Sequence, residues 1–194
     1  MAELLSSVFS LTVMRYALIV GVPVALCAAL LGVLLVLRRY SMIGDGLSHV
    51  GFGALSVAYA LHMAPMAVAV PVVILAAFLL LGLSGSRRLR GDSAIAVLSS
   101  SALALGVVAN SLAGGSATDL SGYLFGSILT LTRADVILSV SLSAVVILLF
   151  VLFKNRIFAV TFDEPFAKSA GVRAGLYNGL LALLIAVTVV VGMR

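Results

Sequence analysis

The chain has 194 residues, of which 63% are hydrophobic and 10% charged, against about 25% charged in soluble domains. That leaves too little polar material to cover a water-soluble globule, so a bundle of several membrane spans is expected. The net charge of +5 does not point to nucleic acid, because the basic residues fall in short gaps between apolar runs and form no basic face.

In chain order, Met1–Met14 reads as a short interfacial helix or an extension of the first span. It lacks the basic start and cleavage site of a signal peptide. Six apolar runs follow, near Tyr16–Leu37, Ser41–Met63, Pro65–Leu83, Ser93–Leu112, Val136–Phe153 and Leu176–Val191. A helical span needs about 20 mostly apolar residues. The runs are continuous rather than alternating, so they predict helices and not barrel strands. The expected fold is all-α, a single polytopic helical bundle of about six spans. The lone Cys27 lies within the first run and has no cysteine partner in the chain.

The gaps between the runs set the orientation. Arg38 and Arg39 lie between runs one and two, and Arg87, Arg88 and Arg90 between three and four. Lys154, Arg156, Lys168 and Arg173 lie between five and six. These are nine of the 12 Lys and Arg residues. All nine fall on one side if six spans alternate, and the excess of positive charge assigns that side to the cytoplasm. On the opposite side, Gly114–Arg133 contains an apolar stretch, Tyr123–Thr130, too short to span. It is either a half-helix dipping back into protein or a loop on the outer surface.

Between runs five and six, Asp163 can cap a short helix, Pro165 suits its first turn and Gly171 can close it. This predicts a short cytoplasmic helix displaying Phe166. A capped surface helix without a partner would carry the same pattern.

Asp45 and His49 are four residues apart, so on a helix they share a face. Counted from Tyr40 at about 1.5 Å per residue, His49 falls near the midplane of a core about 30 Å thick. The neighbouring stripe of Gly44, Ser48 and Gly51 predicts close approach of another helix and burial of the polar face in protein. A carboxylate and an imidazole supply half a site for Zn²⁺, Mn²⁺ or Fe²⁺. At least two more ligands would have to come from elsewhere. Interhelical hydrogen bonding and a proton relay are the other uses of such a pair. His62 is assigned to the interface, and Met42 and Met66 to packing.

RRYSMIGDGLSHVGFG resembles the start of the second span in bacterial metal-ion ABC transporter permeases, the zinc/manganese/iron (ABC-3) family. Gly122–Gly126, GYLFG, and Thr161–Val172, TFDEPFAKSAGV, match later motifs in the expected order. The resemblance implies a permease that forms homodimers or paired assemblies in the bacterial inner membrane. It further implies a cytoplasmic ABC ATPase subunit and delivery by an extracytoplasmic metal-binding protein. Asp45 and His49 become candidate ligands of the transported ion. Phe162, Asp163, Glu164, Phe166, Ala167 and Gly171 become candidates for the coupling helix that docks on the ATPase. No tightly bound cofactor is implied. The chain has no GxxxxGK[ST] segment, so ATP hydrolysis is assigned to the partner and the chain is not expected to be an enzyme.

Members of that family usually continue for about two further spans, whereas this sequence stops at Arg194. A truncated product, a fragment or a split permease is therefore expected. The leading reading is an ATP-driven importer subunit for a divalent transition metal. The alternatives are a secondary or proton-coupled carrier without an ATPase, and a membrane scaffold with no transport role.

Overall fold

The computed structural model describes residues 12–83, 91–114 and 132–193, and among them every regular element is a helix. In chain order these are α1 (Thr12–Leu37), α2 (Ile43–Ala60), α3 (Pro65–Leu83), α4 (Gly91–Leu112), α5 (Arg133–Phe162), α6 (Glu164–Ser169) and α7 (Ala174–Gly192). The all-α expectation holds. The segment Tyr123–Thr130, the first 11 residues and the arginines at 87, 88 and 90 lie outside the described residues.

The turn after α1 is set by Arg39, whose φ of 62° places a side-chain-bearing residue in the left-handed region. The Tyr40 amide donates to the Leu35 carbonyl at 2.9 Å, and the Arg39 amide to Val36 at 3.0 Å. This is the bonding of a helix stop in which glycine is normally favoured. Buried Tyr40 packs into the main core and fixes the turn. As a result α2 starts at Ile43, two residues later than the run beginning at Ser41 suggested.

Four helices are long and apolar enough to cross a membrane: Thr12–Leu37, Asp92–Leu112, Arg133–Phe162 and Ala174–Gly192. In α3 the strongly apolar part is the shorter Ala67–Leu81. The second helix is diluted by Asp45, Ser48, His49 and its glycines. It tolerates them because it is the most enclosed element, packed against α3, α4 and α7. Its Ile43, Leu47 and Phe52 are fully buried.

The six-run division needs one correction at its fifth element. The run ended at Phe153, but α5 continues to Phe162 and carries Lys154 and Arg156 on helix rather than in a loop. Nine further residues extend the rod by about 13 Å. At its other end, Thr132 and Asp135 form a reciprocal capping box, which is why the helix starts there.

The bundle has two flanks. On one, α2 packs between α3 and α4; on the other, α1 and α5 pair; α7 contacts both. Between α1 and α5, the Cys27 thiol donates to the Ser143 carbonyl at 3.5 Å, and Arg133 Nε donates to the Tyr16 hydroxyl at 3.1 Å. Large apolar side chains such as Val22, Leu105, Leu148 and Leu152 point outward and are more than half exposed. Exposed aliphatic surface on every long flank suits contact with hydrocarbon rather than water.

Candidate metal site and capped short helix

Asp45 sits in the first turn of α2. A carboxylate there is favoured by the helix dipole. His49 follows one turn later, with Nε2 3.6 Å from Asp45 Oδ2. That distance is beyond a direct hydrogen bond, yet two ligands each about 2.1 Å from one ion can span it. The Asp45 side chain is 64% exposed and that of His49 25%. His49 Nδ1 is buried and has no hydrogen-bond partner among the described residues.

One expectation about this site is corrected. The Asp45 face is open rather than closed over by the Gly44–Ser48–Gly51 stripe. A Cβ at Gly44 would meet nothing within 4 Å, and Ser48 turns its hydroxyl back to the Gly44 carbonyl at 2.9 Å. Gly51 does meet a neighbour, Met193.

The glycines of α2 that admit α4 are Gly46 and Gly53. A Cβ at Gly46 would lie 2.5 Å from Ile95 Cγ2, and one at Gly53 2.6 Å from the Ala102 carbonyl oxygen. The two are seven residues apart and so share a face. His49 lies between them, on the side of α2 that meets α4. No cluster of three or more His, Cys, Asp or Glu occurs among the described residues. Asp45 and His49 therefore stand as a pair.

The short helix α6 matches its local code closely. Asp163 ends α5 and caps α6, its Oδ1 accepting from the Phe166 amide at 2.9 Å. Pro165 lies in the first turn. Gly171 takes φ 79°, its amide bonds Lys168, and the Val172 amide bonds Ala167 at 2.9 Å. The Val172–Ala167 apolar contact that accompanies this type of helix stop is present as well.

The six coupling candidates separate by position. Phe162 and Phe166 are each 69% exposed, whereas Ala167 is buried. Ala167 holds α6 against Val160 and Ala174, so it faces the bundle. Glu164 also turns inward. It pairs with Lys168 at 2.7 Å and accepts from Asn178 Nδ2 at 3.3 Å. The Lys168 hydrogen bond is the main influence holding its carboxyl below the ordinary value, with further support from Asn178 and the charge of Arg38.

Arg38 joins this group from the end of α1, its Nε donating to Thr161 Oγ1 at 3.2 Å. Burial lowers the Arg38 pKa, and the charge of Glu164 works the other way. A strap thus runs from the α1–α2 turn, past α5, to α6 and α7. Sequence reasoning missed it because Arg38 and Thr161 are 123 residues apart. The only local signal was a polar residue, Asn178, inside a predicted span.

Residues 10–194 match the family described as "ABC 3 transport family". The chain is 29% identical over 181 residues to the manganese import system permease protein ScaB of Streptococcus gordonii. That alignment covers 93% of this chain and 65% of the relative. It is 33% identical to a probable metal transport system membrane protein of Thermotoga maritima, covering 93% of this chain and 64% of the relative. Among solved structures it resembles PsaBC from Streptococcus pneumoniae in complex with Fab. The TM-score is 0.81 at 30% identity, covering 100% of this chain and 69% of that chain. The chain thus spans about 65% of the length of the curated relatives it matches.

Proposed function

Because the chain belongs to the ABC 3 transport family, we propose that it is a permease subunit of an ATP-driven importer for a divalent transition metal. Manganese is the first candidate, since several relatives are named for manganese import or transport; zinc and iron follow. The observation that carries the reading is the Asp45–His49 pair, a carboxylate and an imidazole nitrogen 3.6 Å apart at the start of the most enclosed helix.

In this reading all six long helices cross a bacterial inner membrane, with Arg38, Lys154, Arg156 and Lys168 on the cytoplasmic side. The ion passing along α2 is the substrate. Asp45 supplies negative charge to it, and His49 supplies a neutral Nε2, so His49 must be unprotonated to bind. The remaining ligands come from water, a further segment or a second copy of the chain.

The capped helix α6 serves as the coupling helix on a separate ATPase subunit, which carries out hydrolysis. Phe162 and Phe166 are the side chains free to enter a partner's cleft. Asp163 and Gly171 shape the helix. Glu164 and Ala167 fasten it to the bundle, and Arg38 links it to the turn that precedes Asp45. An extracytoplasmic metal-binding protein delivers the ion, and two permease copies pair in the assembly.

Uptake of radioactive Mn²⁺, Zn²⁺ and Fe²⁺ tests this in cells lacking their own importers and expressing the chain with its ATPase and binding protein. Asp45→Ala and His49→Ala should each reduce uptake at least tenfold at normal membrane abundance. Uptake that survives ATP depletion but stops when the proton gradient collapses would replace this reading with that of a carrier.

A further inference from the structure

The α2–α4 seam carries three polar atoms that the Asp45–His49 reading leaves unexplained. His49 Nδ1, Ser56 Oγ and Asn110 Nδ2 are buried without a hydrogen-bond partner among the described residues. Ser56 is 1% exposed and Asn110 2%. Unpartnered polar groups at such depth are uncommon and costly.

Their positions along the helices are related. A Cβ at Gly106 would lie 2.6 Å from the Phe52 ring and 2.9 Å from Gly53 Cα. The two helices therefore pinch together at Gly53 and Gly106. Gly46 faces Ile95 and Gly53 faces Ala102, so α2 and α4 run in the same direction. Ser56 comes three residues after Gly53, and Asn110 four after Gly106. Each lies one turn past the pinch on the side facing the other helix. His49 lies one turn before the pinch on the same side of α2.

We infer that Ser56 and Asn110 form an outer oxygen-donor station for a partly hydrated divalent cation, placed one turn beyond the pinch from His49. This rests on the importer reading and deepens it. A hydroxyl and a carboxamide are hard, neutral donors, suited to Mn²⁺ more than to softer ions. No hydrogen bond holds the Asn110 nitrogen, so the carboxamide can turn its carbonyl oxygen into the seam. Neutral ligands bind weakly enough to release an ion onward, as passage requires. The charged Asp45 and the imidazole of His49 then hold it more firmly. Phe52, Gly53 and Gly106 separate the two stations and must part for the ion to move between them.

The test measures the maximal Mn²⁺ uptake rate per molecule of membrane-inserted protein, with ATPase and binding protein present. Asn110→Leu and Ser56→Ala should each lower it about tenfold, of the order expected when a polar ligand contact is lost. Asn110→Asp, which keeps oxygen donors, should stay within about threefold of wild type. The Asn110→Leu protein should melt no lower than wild type, because a buried nitrogen without a partner is replaced by an apolar group of similar size. A slower rate together with a lower melting point and no rescue by Asn110→Asp would mean a purely structural role and overturn the station. Should Asn110→Leu not reach the membrane, Ser56→Ala decides alone. Wild-type import with unchanged rates in both variants overturns the station and leaves the importer standing. Absence of import by the wild type overturns both.

Discussion

The Gly53–Ala102 approach makes a glycine substitution there far more damaging than the same change at an open position such as Gly32. In Gly53→Ala the new methyl would lie 2.6 Å from the Ala102 carbonyl oxygen, 3.3 Å from its carbon and 3.6 Å from Cα. All three are backbone atoms, so no side chain can swing aside, and α2 and α4 must separate by several tenths of an ångström. Overpacking of this kind costs about 1–3 kcal/mol, and a gap of about 0.5–1 Å forfeits a quarter to a half of each dispersion contact along the seam. Alanine returns roughly 0.5–1 kcal/mol through helix propensity. The net expectation is a loss of about 0–2.5 kcal/mol.

Gly32 in α1 provides the contrast, since a Cβ there would meet nothing within 4 Å. Gly32→Ala should gain the propensity term alone. For a chain of this size 1 kcal/mol corresponds to about 2–4 °C. Gly53→Ala should therefore melt up to about 10 °C below wild type, and Gly32→Ala about 1–4 °C above it, in the same detergent by circular dichroism. Shifts of equal sign and size would refute the claim that α2 and α4 meet backbone to backbone at Gly53.

Three further outcomes are expected. Asp163→Ala removes the cap on α6 and should destabilise that helix by about 1 kcal/mol, read as faster amide exchange at Phe166 and Ala167 with global melting little changed. Phe166→Ala should leave melting within about 0.5 kcal/mol of wild type, because the ring is 69% exposed, while lowering both ATPase association and uptake. Glu164 is held below its ordinary carboxyl value, so its stabilising contribution is complete above that value and is lost as pH falls through the lower, folded-state one. With the side chain 40% exposed the effect is screened to no more than about 1 kcal/mol. The stability gap between wild type and Glu164→Gln should be present at pH 7 and close below about pH 4; a gap that widened in acid would contradict the assignment.

The parts of this protein legible in the sequence were those that depend on neighbours within one or two turns. The α6 stop signals are of this kind: Asp163, Pro165 and Gly171 act through bonds spanning three to five residues, and all three take the expected roles. The Asp45–His49 pair is another, since an i, i+4 spacing places two side chains together on any helix. Where α2 begins was not legible, because the turn held by Arg39 and buried Tyr40 depends on what Tyr40 packs against. That Gly46 and Gly53, and not the Gly44–Ser48–Gly51 stripe, meet α4 was hidden for a similar reason. Both are sets of small residues on one helix, and only the neighbour's location distinguishes them.

Composition and periodicity alone determined an all-helical, membrane-suited bundle, because burial of backbone in hydrocarbon leaves a continuous apolar run little alternative to helix. Tertiary structure decided which of those helices needed to be apolar all round. Enclosed by α3, α4 and α7, α2 could keep an aspartate, a histidine and four glycines. It also decided that Arg38 meets Thr161 and that Gly53 meets Ala102. Those contacts join residues far apart in the chain, and no local pattern encodes where two helix surfaces come to rest against each other.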